Sequence, residues 1–282
     1  MRGLKLFKIK KMVNKKRIFF GLKLFIILYC LTGIYLYYTQ DKFLLHPQTL
    51  PTDYTFQFNH SFKEINIPIS KDDTINMVRF MPDDDTLSKG AVLYLHGNTG
   101  NIINYAPEAE QFLKHNYEVW MPDYPGFGKS RGVFTEKNVN EAIFQVKRFM
   151  NTRFADSNII VYGKSLGTGI AASLASNLKV KYLILEAPYF SIPDLFWCRV
   201  PFFPMSAMSN YKIPTGEYIS EATCPVTVFH GTDDEVIPLK CAEKIKPCMK
   251  ESKDQFILIN NGKHNDLTKR NEYKEVMNNL LQ

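Results

Sequence analysis

Three patterns of hydrophobic and polar positions follow one another along the chain. The first is a continuous apolar run over residues 18–38, IFFGLKLFIILYCLTGIYLYY, with Lys23 its one charge. As a helix rising about 1.5 Å per residue it covers roughly 30 Å, the thickness of a bilayer core. Lys23 lies close enough to one end to carry its amine back to the headgroups, and Tyr35, Tyr37 and Tyr38 stand where interfacial aromatics belong. The second pattern, β-type alternation over residues 54–58, 62–69 and 75–81, predicts short strands joined by polar turns. The third is a series of short, nearly continuous apolar runs at 91–95, 117–121, 158–162, 180–185, 226–229 and 256–259. Stretches of helical period at 102–115, 136–150, 166–177, 239–249 and 269–281 separate them. Apolar runs of this kind read as strands buried on both faces, with helices as their crossovers. The prediction is an α/β chain: antiparallel entry strands, then a mostly parallel, doubly wound sheet. Residues 39–53, with Pro47 and Pro51, read as a linker, and 54–282 as one domain. Residues 188–225, rich in Phe, Trp, Pro and Met and without clear period, read as a short cap or lid.

Charge changes the picture at the front. Lys and Arg number 35 against 28 Asp and Glu, a net charge of +7 over 282 residues. Nine of the bases, Arg2, Lys5, Lys8, Lys10, Lys11, Lys15, Lys16, Arg17 and Lys23, fall in the first 23 residues, which hold no acid. The remainder carries 26 bases against 28 acids. A nucleic-acid surface on the folded part is therefore disfavoured. Residues 1–17 form a basic tail that the positive-inside rule places in the cytoplasm, with the domain on the opposite, periplasmic or extracytoplasmic, side. The apolar run ends in Tyr-Leu-Tyr-Tyr-Thr-Gln, without the small residues of a signal cleavage site, so an uncleaved transmembrane anchor is preferred to a signal peptide.

With 45% hydrophobic residues over the whole sequence, enough apolar material remains after the anchor for one full core. Five cysteines are too few and too irregular for a disulfide framework or a zinc site. Cys30 lies in the anchor. One bridge among Cys198, Cys224, Cys241 and Cys248 is compatible with an oxidising compartment, but spacing selects no pair beyond excluding Cys241 with Cys248, about 10 Å apart along one helix.

Chemistry concentrates at strand ends. Directly after the 158–162 run comes Gly163-Lys164-Ser165-Leu166-Gly167, then Thr168-Gly169-Ile170-Ala171-Ala172 opening a helix. This is G-x-S-x-G between strand and helix, the setting of a nucleophile elbow, where the sharp turn leaves no room for side chains two residues before and after the serine. A serine hydroxyl needs a base and a group to orient that base. Only His230 and His264 lie downstream, each just past a predicted strand. His264 reads as the base and His230 as a strand-end residue, with Asp233, Asp234 and Glu235 equal candidates for the orienting acid. The third requirement is a pair of backbone N–H groups for the developing oxyanion. Leu166, next after the serine, offers one, and the loop His96-Gly97-Asn98-Thr99-Gly100-Asn101 the other. That loop matches neither phosphate-binding glycine pattern, and no H-E-x-x-H or paired Cys/His spacing occurs, so neither metal nor cofactor is expected.

These segments, with Asp123-Tyr124-Pro125-Gly126-Phe127-Gly128-Lys129-Ser130 and Gly262-Lys263-His264-Asn265, resemble the α/β-hydrolase superfamily. More narrowly they are similar to membrane-anchored Bem46-like serine hydrolases, over residue 41 to the C-terminus. The resemblance implies Ser165 as nucleophile, Asp234 as acid, His264 as base, the amides of Asn98 and Leu166 as oxyanion hole, and residues 123–128 as a supporting turn. Thr99, where such proteins often have Ala, and Lys263, where Gly commonly precedes the histidine, depart from the pattern. Lys263 bears on access or on the charge of His264. The expected activity is cleavage of an ester or related acyl bond through an acyl-enzyme. The alternatives are a peptidase or protein thioesterase on the same residues, or a non-catalytic membrane-anchored scaffold. Phe190, Phe196, Trp197, Phe202, Phe203, Met205 and Met208 fit either an acyl-binding lid or ordinary packing of a cap.

Overall fold

The computed structural model describes residues 15–83, 88–250 and 252–282; most of the expected basic tail, residues 1–14, lies outside them. The chain divides into two compact units between Asp41 and Lys42. Helix α1 (Lys15–Leu44) carries an 18-residue stretch of mean hydropathy 2.0, none of it buried. It is long and apolar enough to cross a membrane. It also runs past residue 38, because residues 39–44 contain no Gly or Pro to stop it.

The segment after α1 is tied into the domain, where a linker was expected. Strand β1 (His46–Pro47) is followed by bonds from Leu50 N to Gly128 O (2.7 Å) and from Gly128 N to Gln48 O (3.0 Å). Residues 54–58 form no strand. Their alternation instead places Phe56 in the core and Phe58 against the rings of Phe62 (5.1 Å) and Phe80 (5.0 Å).

Next come β2 (Phe62–Pro68), β3 (Thr74–Phe80), β4 (Gly90–Leu95) and β5 (Thr99–Gly100), the last pairing in parallel with β1. The predicted helix over 102–115 is broken by Pro107, which has no N–H to give an α-helix. It becomes α2 (Ile102–Tyr105), a 3-10 turn at Ala106–Ala109 and α3 (Glu110–Leu113). The doubly wound part follows: β6 (Tyr117–Pro122), α4 (Glu136–Met150), β7 (Ile159–Lys164), α5 (Leu166–Ser176) and β8 (Tyr182–Glu186). The expected cap segment forms α6 (Ile192–Arg199), α7 (Met205–Met208) and α8 (Thr215–Glu221). Strand β9 (Val226–Gly231), α9 (Leu239–Ala242), β10 (Gln255–Ile259) and α10 (Asn271–Leu281) complete the chain, and Pro247 turns the rest of the predicted 239–249 helix into a 3-10 segment.

The eight-stranded sheet has the order β10-β9-β8-β7-β4-β6-β3-β2. Strands β4 and β6 to β10 are parallel, and β2 and β3 are antiparallel, as the change from alternating to continuous apolar runs predicts. Every residue of β4, β6, β7 and β9 is buried. Successive side chains serve the two faces: Ala91, Leu93 and Leu95 pack with Trp120, Val161 and Leu183, while Val92 and Tyr94 pack with Val119, Tyr162 and Phe229.

A disulfide joins Cys198 of α6 to buried Cys241 of α9 across 43 residues. Reduction of this bridge, verified by thiol titration, is expected to lower unfolding free energy by about 3 kcal/mol in a denaturant series. Leu93→Ala, which empties a fully buried site on a central strand, is expected to cost about 3 kcal/mol in the same assay.

Candidate active site

The sheet presents its parallel strand ends on one side, and each candidate residue sits just past one of them. After β7 the chain reverses at Ser165, whose φ of +50° and ψ of −117° belong to a region that residues with a side chain rarely adopt. Its N–H is held by Glu186 O (2.9 Å), and its carbonyl accepts from the N–H (2.9 Å) and Oγ1 (2.6 Å) of Thr168. Glycine is required on both sides. A Cβ on Gly163 would meet Gly167 O at 2.5 Å, and one on Gly167 would collide with the backbone carbonyl of Leu95.

The loop after β9 brings Asp234 inward. Its Oδ1 accepts from the amides of Val236 (2.8 Å) and Ile237 (2.7 Å), and its Oδ2 from His264 Nδ1 (2.8 Å). Asp233 turns instead to the Thr232 hydroxyl, and Glu235 is exposed, so the structure separates three acids that spacing left equal. The loop after β10 carries His264, whose Nε2 lies 3.0 Å from Ser165 Oγ. The two loops are joined by Asp233 N to Gly262 O (3.0 Å) and Asn261 N to Thr232 Oγ1 (2.9 Å). Ser165, Asp234 and His264 are all buried.

Burial alone would raise the Asp234 carboxyl. The hydrogen bond and charge of His264 and the Ile237 amide outweigh it and hold the group below its ordinary value. Such a hydroxyl, imidazole and carboxylate relay can pass the serine proton to the imidazole while the carboxylate fixes the ring. His230 is fully buried and donates to Ile237 O (2.9 Å). Burial lowers its pKa, which suits a neutral loop anchor at the strand end.

The sequence profile of the serine aminopeptidase S33 family matches residues 86–215. Lysophosphatidylserine lipase ABHD12 of Macaca fascicularis is 27% identical over 215 residues, covering 66% of this chain, and the chain spans about half, 52%, of that relative. A putative alpha/beta hydrolase, L404, of Acanthamoeba polyphaga mimivirus is 27% identical over 235 residues, covering 80% of this chain and 87% of its own length. The Pyrococcus furiosus esterase Pf2001 superposes with a TM-score of 0.65 at 16% identity, covering 84% of this chain and 96% of the esterase. The chain belongs to the α/β-hydrolase superfamily.

As in the α/β-hydrolase reading of the sequence, the 96–101 loop faces Ser165. Asn98 is pinned by His46 N to its carbonyl (2.8 Å) and by its own Nδ2 to Leu44 O (2.6 Å). Leu166 opens α5, where first-turn amides have no partner within the helix. Residues 123–128 support the loop: Asp123 Oδ1 accepts from Ile102 N (2.9 Å), and Tyr124 donates to His96 O (2.7 Å). Thr99 lines the cleft, and Lys263 is exposed, its N–H bonded to Asp266.

A cleft of about 540 Å³ opens over Ser165, His264, Asn98 and Thr99, with Tyr105, Glu108 and Lys164 in its wall. The last three were missed by sequence reasoning. Lys164 Nζ lies 2.6 Å from Glu108 Oε1 and 2.9 Å from Glu186 Oε1. Burial would lower the ammonium, but the charges of Glu186 and Glu108 outweigh it and hold it well above its ordinary range. Burial and Glu186 push Glu108 up, against the pull of Lys164. None of the seven cap residues singled out from the sequence lines this cleft. Phe203 and Met205 are buried, Phe190 and Phe196 pack against the core, and Trp197 and Phe202 are exposed.

Gly167→Ala is expected to cost several kcal/mol, of the order of ~3 or more, in urea denaturation, because backbone rather than a flexible side chain opposes the methyl. The depressed Asp234 pKa stabilises the fold above the ordinary aspartate value of 3.8, and that contribution is lost as pH falls through the lower folded value. The stability gap between the wild type and Asp234→Asn should therefore narrow on going from about pH 5 to about pH 2.

Proposed function

We propose that the protein is a membrane-anchored serine hydrolase that cleaves an ester or related acyl bond through an acyl-enzyme. The observation that carries this reading is the continuous hydrogen-bonded chain from Ser165 Oγ through His264 to Asp234. His264 takes the proton as Ser165 attacks the acyl carbon, Asp234 stabilises the imidazolium, and the amides of Asn98 and Leu166 receive the oxyanion. The leaving group takes the proton back from His264. Water, activated by the same imidazole, then releases the acid.

The cleft favours an amphiphilic ester. Its wall near Ser165 is polar, through Asn104, Tyr105, Glu108 and Lys164, while Phe43 and Val236 supply half-exposed apolar surface for an acyl chain. Similarity to a lysophosphatidylserine lipase supports the same class. The serine aminopeptidase profile over 86–215 supports a second reading, hydrolysis of an aminoacyl amide by the same three residues. The basic residues before α1 and the Cys198–Cys241 bridge both support a domain outside the cytoplasm.

Ser165→Ala is expected to abolish turnover of short p-nitrophenyl esters and labelling by a fluorophosphonate probe; full turnover in that variant would sink the assignment. Asp234→Asn is expected to lower kcat by about 10⁴ through the wrong imidazole tautomer. Parallel assays on single-chain phospholipid esters and aminoacyl amides decide between the two substrate readings.

A further inference from the structure

Behind the serine lies a buried group of charges that the proton path does not use. The Lys164 side chain is 5% exposed and that of Glu186 fully enclosed. Tyr94 donates to Glu108 Oε2 (2.6 Å), Tyr162 donates to Glu186, and the hydroxyls of Tyr162 and Tyr273 are 2.9 Å apart. Burying one ammonium with two carboxylates is a poor way to gain stability, since desolvation offsets most of the attraction. What these ion pairs connect gives them another use.

Lys164 is the last residue of β7, directly before Ser165. Glu186 is its register partner on β8, and the carbonyl of Glu186 accepts the Ser165 N–H. On this side, then, Lys164 grips the element that holds the elbow and, with it, the Leu166 amide. Glu108 lies in the 3-10 turn that follows α2, and α2 is capped at its N-terminus by Asn101, three residues after Asn98. Tyr105, on the same segment, donates to Thr99 O (3.1 Å). Glu108 therefore belongs to the piece of chain that carries the Asn98 amide.

We propose that Lys164 is a positioning residue: by bridging Glu186 and Glu108 it fixes the separation of the Leu166 and Asn98 amides, the two halves of the oxyanion hole. The inference rests on the serine-hydrolase reading above. An oxyanion demands closer alignment of these donors than a ground-state carbonyl does, so loosening the bridge takes its toll on kcat rather than on substrate binding.

Glu108→Met removes one end of the bridge and leaves Lys164 paired with Glu186; Lys164→Met removes both ends. Active-site titration with a fluorophosphonate supplies the count of folded sites. Per titrated site, Glu108→Met is expected to lower kcat on a short neutral ester at least about tenfold, with KM within about twofold. The inhibition constant of an alkyl boronic acid should rise by the same factor as kcat/KM falls. Glu108→Gln, which can still accept from Lys164, should recover part of the loss. The proposal is overturned if Glu108→Met keeps kcat within about twofold or raises it, as relief from a negative charge near the oxyanion would. It is equally overturned if the loss lies in KM with boronate affinity unchanged. If Lys164→Met does not fold, Glu108→Met decides. A wild-type-like Glu108→Met beside an inactive Ser165→Ala overturns this inference alone, whereas an active Ser165→Ala removes the reading beneath it.

Discussion

The constraint on which the rest depends is the backbone of one residue. A serine at φ +50° is strained, of the order of ~1–3 kcal/mol, and persists only where its surroundings over-determine it. Here the strand before it is buried on both faces, the helix after it packs on that strand without intervening side chains, and both its N–H and its carbonyl are bonded. The central position of β7, between β4 and β8, is what makes such over-determination available. An edge strand would let the turn relax. The close approach of Gly167 to Leu95 also puts the end of β4, and so the loop bearing Asn98, beside the serine.

The remaining groups are held by a different device, hydrogen bonds between neighbouring loops. Strands β9 and β10 are parallel neighbours, so their loops leave on the same side and bond to each other through Asp233, Gly262, Thr232 and Asn261. The loops that carry Asp234 and His264 are thereby held to each other independently of Ser165. The cap is tied to the same pair: Cys198 is bonded to Cys241 of α9, and Arg199 donates to the carbonyls of Glu235 and Val236. The site thus rests on one strained turn and one cross-linked pair of loops.

This division explains what was legible in the sequence. Strain demands particular residues, so Gly163 and Gly167 mark Ser165 without help from the fold, and strands buried on both faces announce themselves as apolar runs. Hydrogen-bonded loops make weaker demands. Asp233, Asp234 and Glu235 are equivalent on paper, and only the bonds from Val236 and Ile237 to Asp234 distinguish them. Residues 46–50 read as a linker because they join the domain through backbone bonds, which leave no side-chain pattern. Pro107 and Pro247 were visible, but the helical period around them outweighed their effect. The Cys198–Cys241 pair joins elements 43 residues apart and is set by tertiary packing alone.

Lys164 was in plain view as the second position of the motif, where any residue is allowed. Its meaning appears only once strand register sets it opposite Glu186 and the turn after α2 brings Glu108 to the same place. The same geometry bears on the apolar cap. Aromatic composition at 188–225 is compatible with an acyl-binding lid, yet the cleft at Ser165 is lined by the 96–108 segment together with Phe43, Lys164, Val236 and the His264 loop, and by no residue of 188–225. Apolar residues in a cap segment are first of all the means by which short helices without a sheet of their own stay attached to the domain. Here Phe190 and Phe196 serve that attachment, while Lys164, Glu108 and Tyr105 shape the cleft. Selectivity in this site is therefore to be sought in the polar wall beneath the serine before the aromatic segment above it.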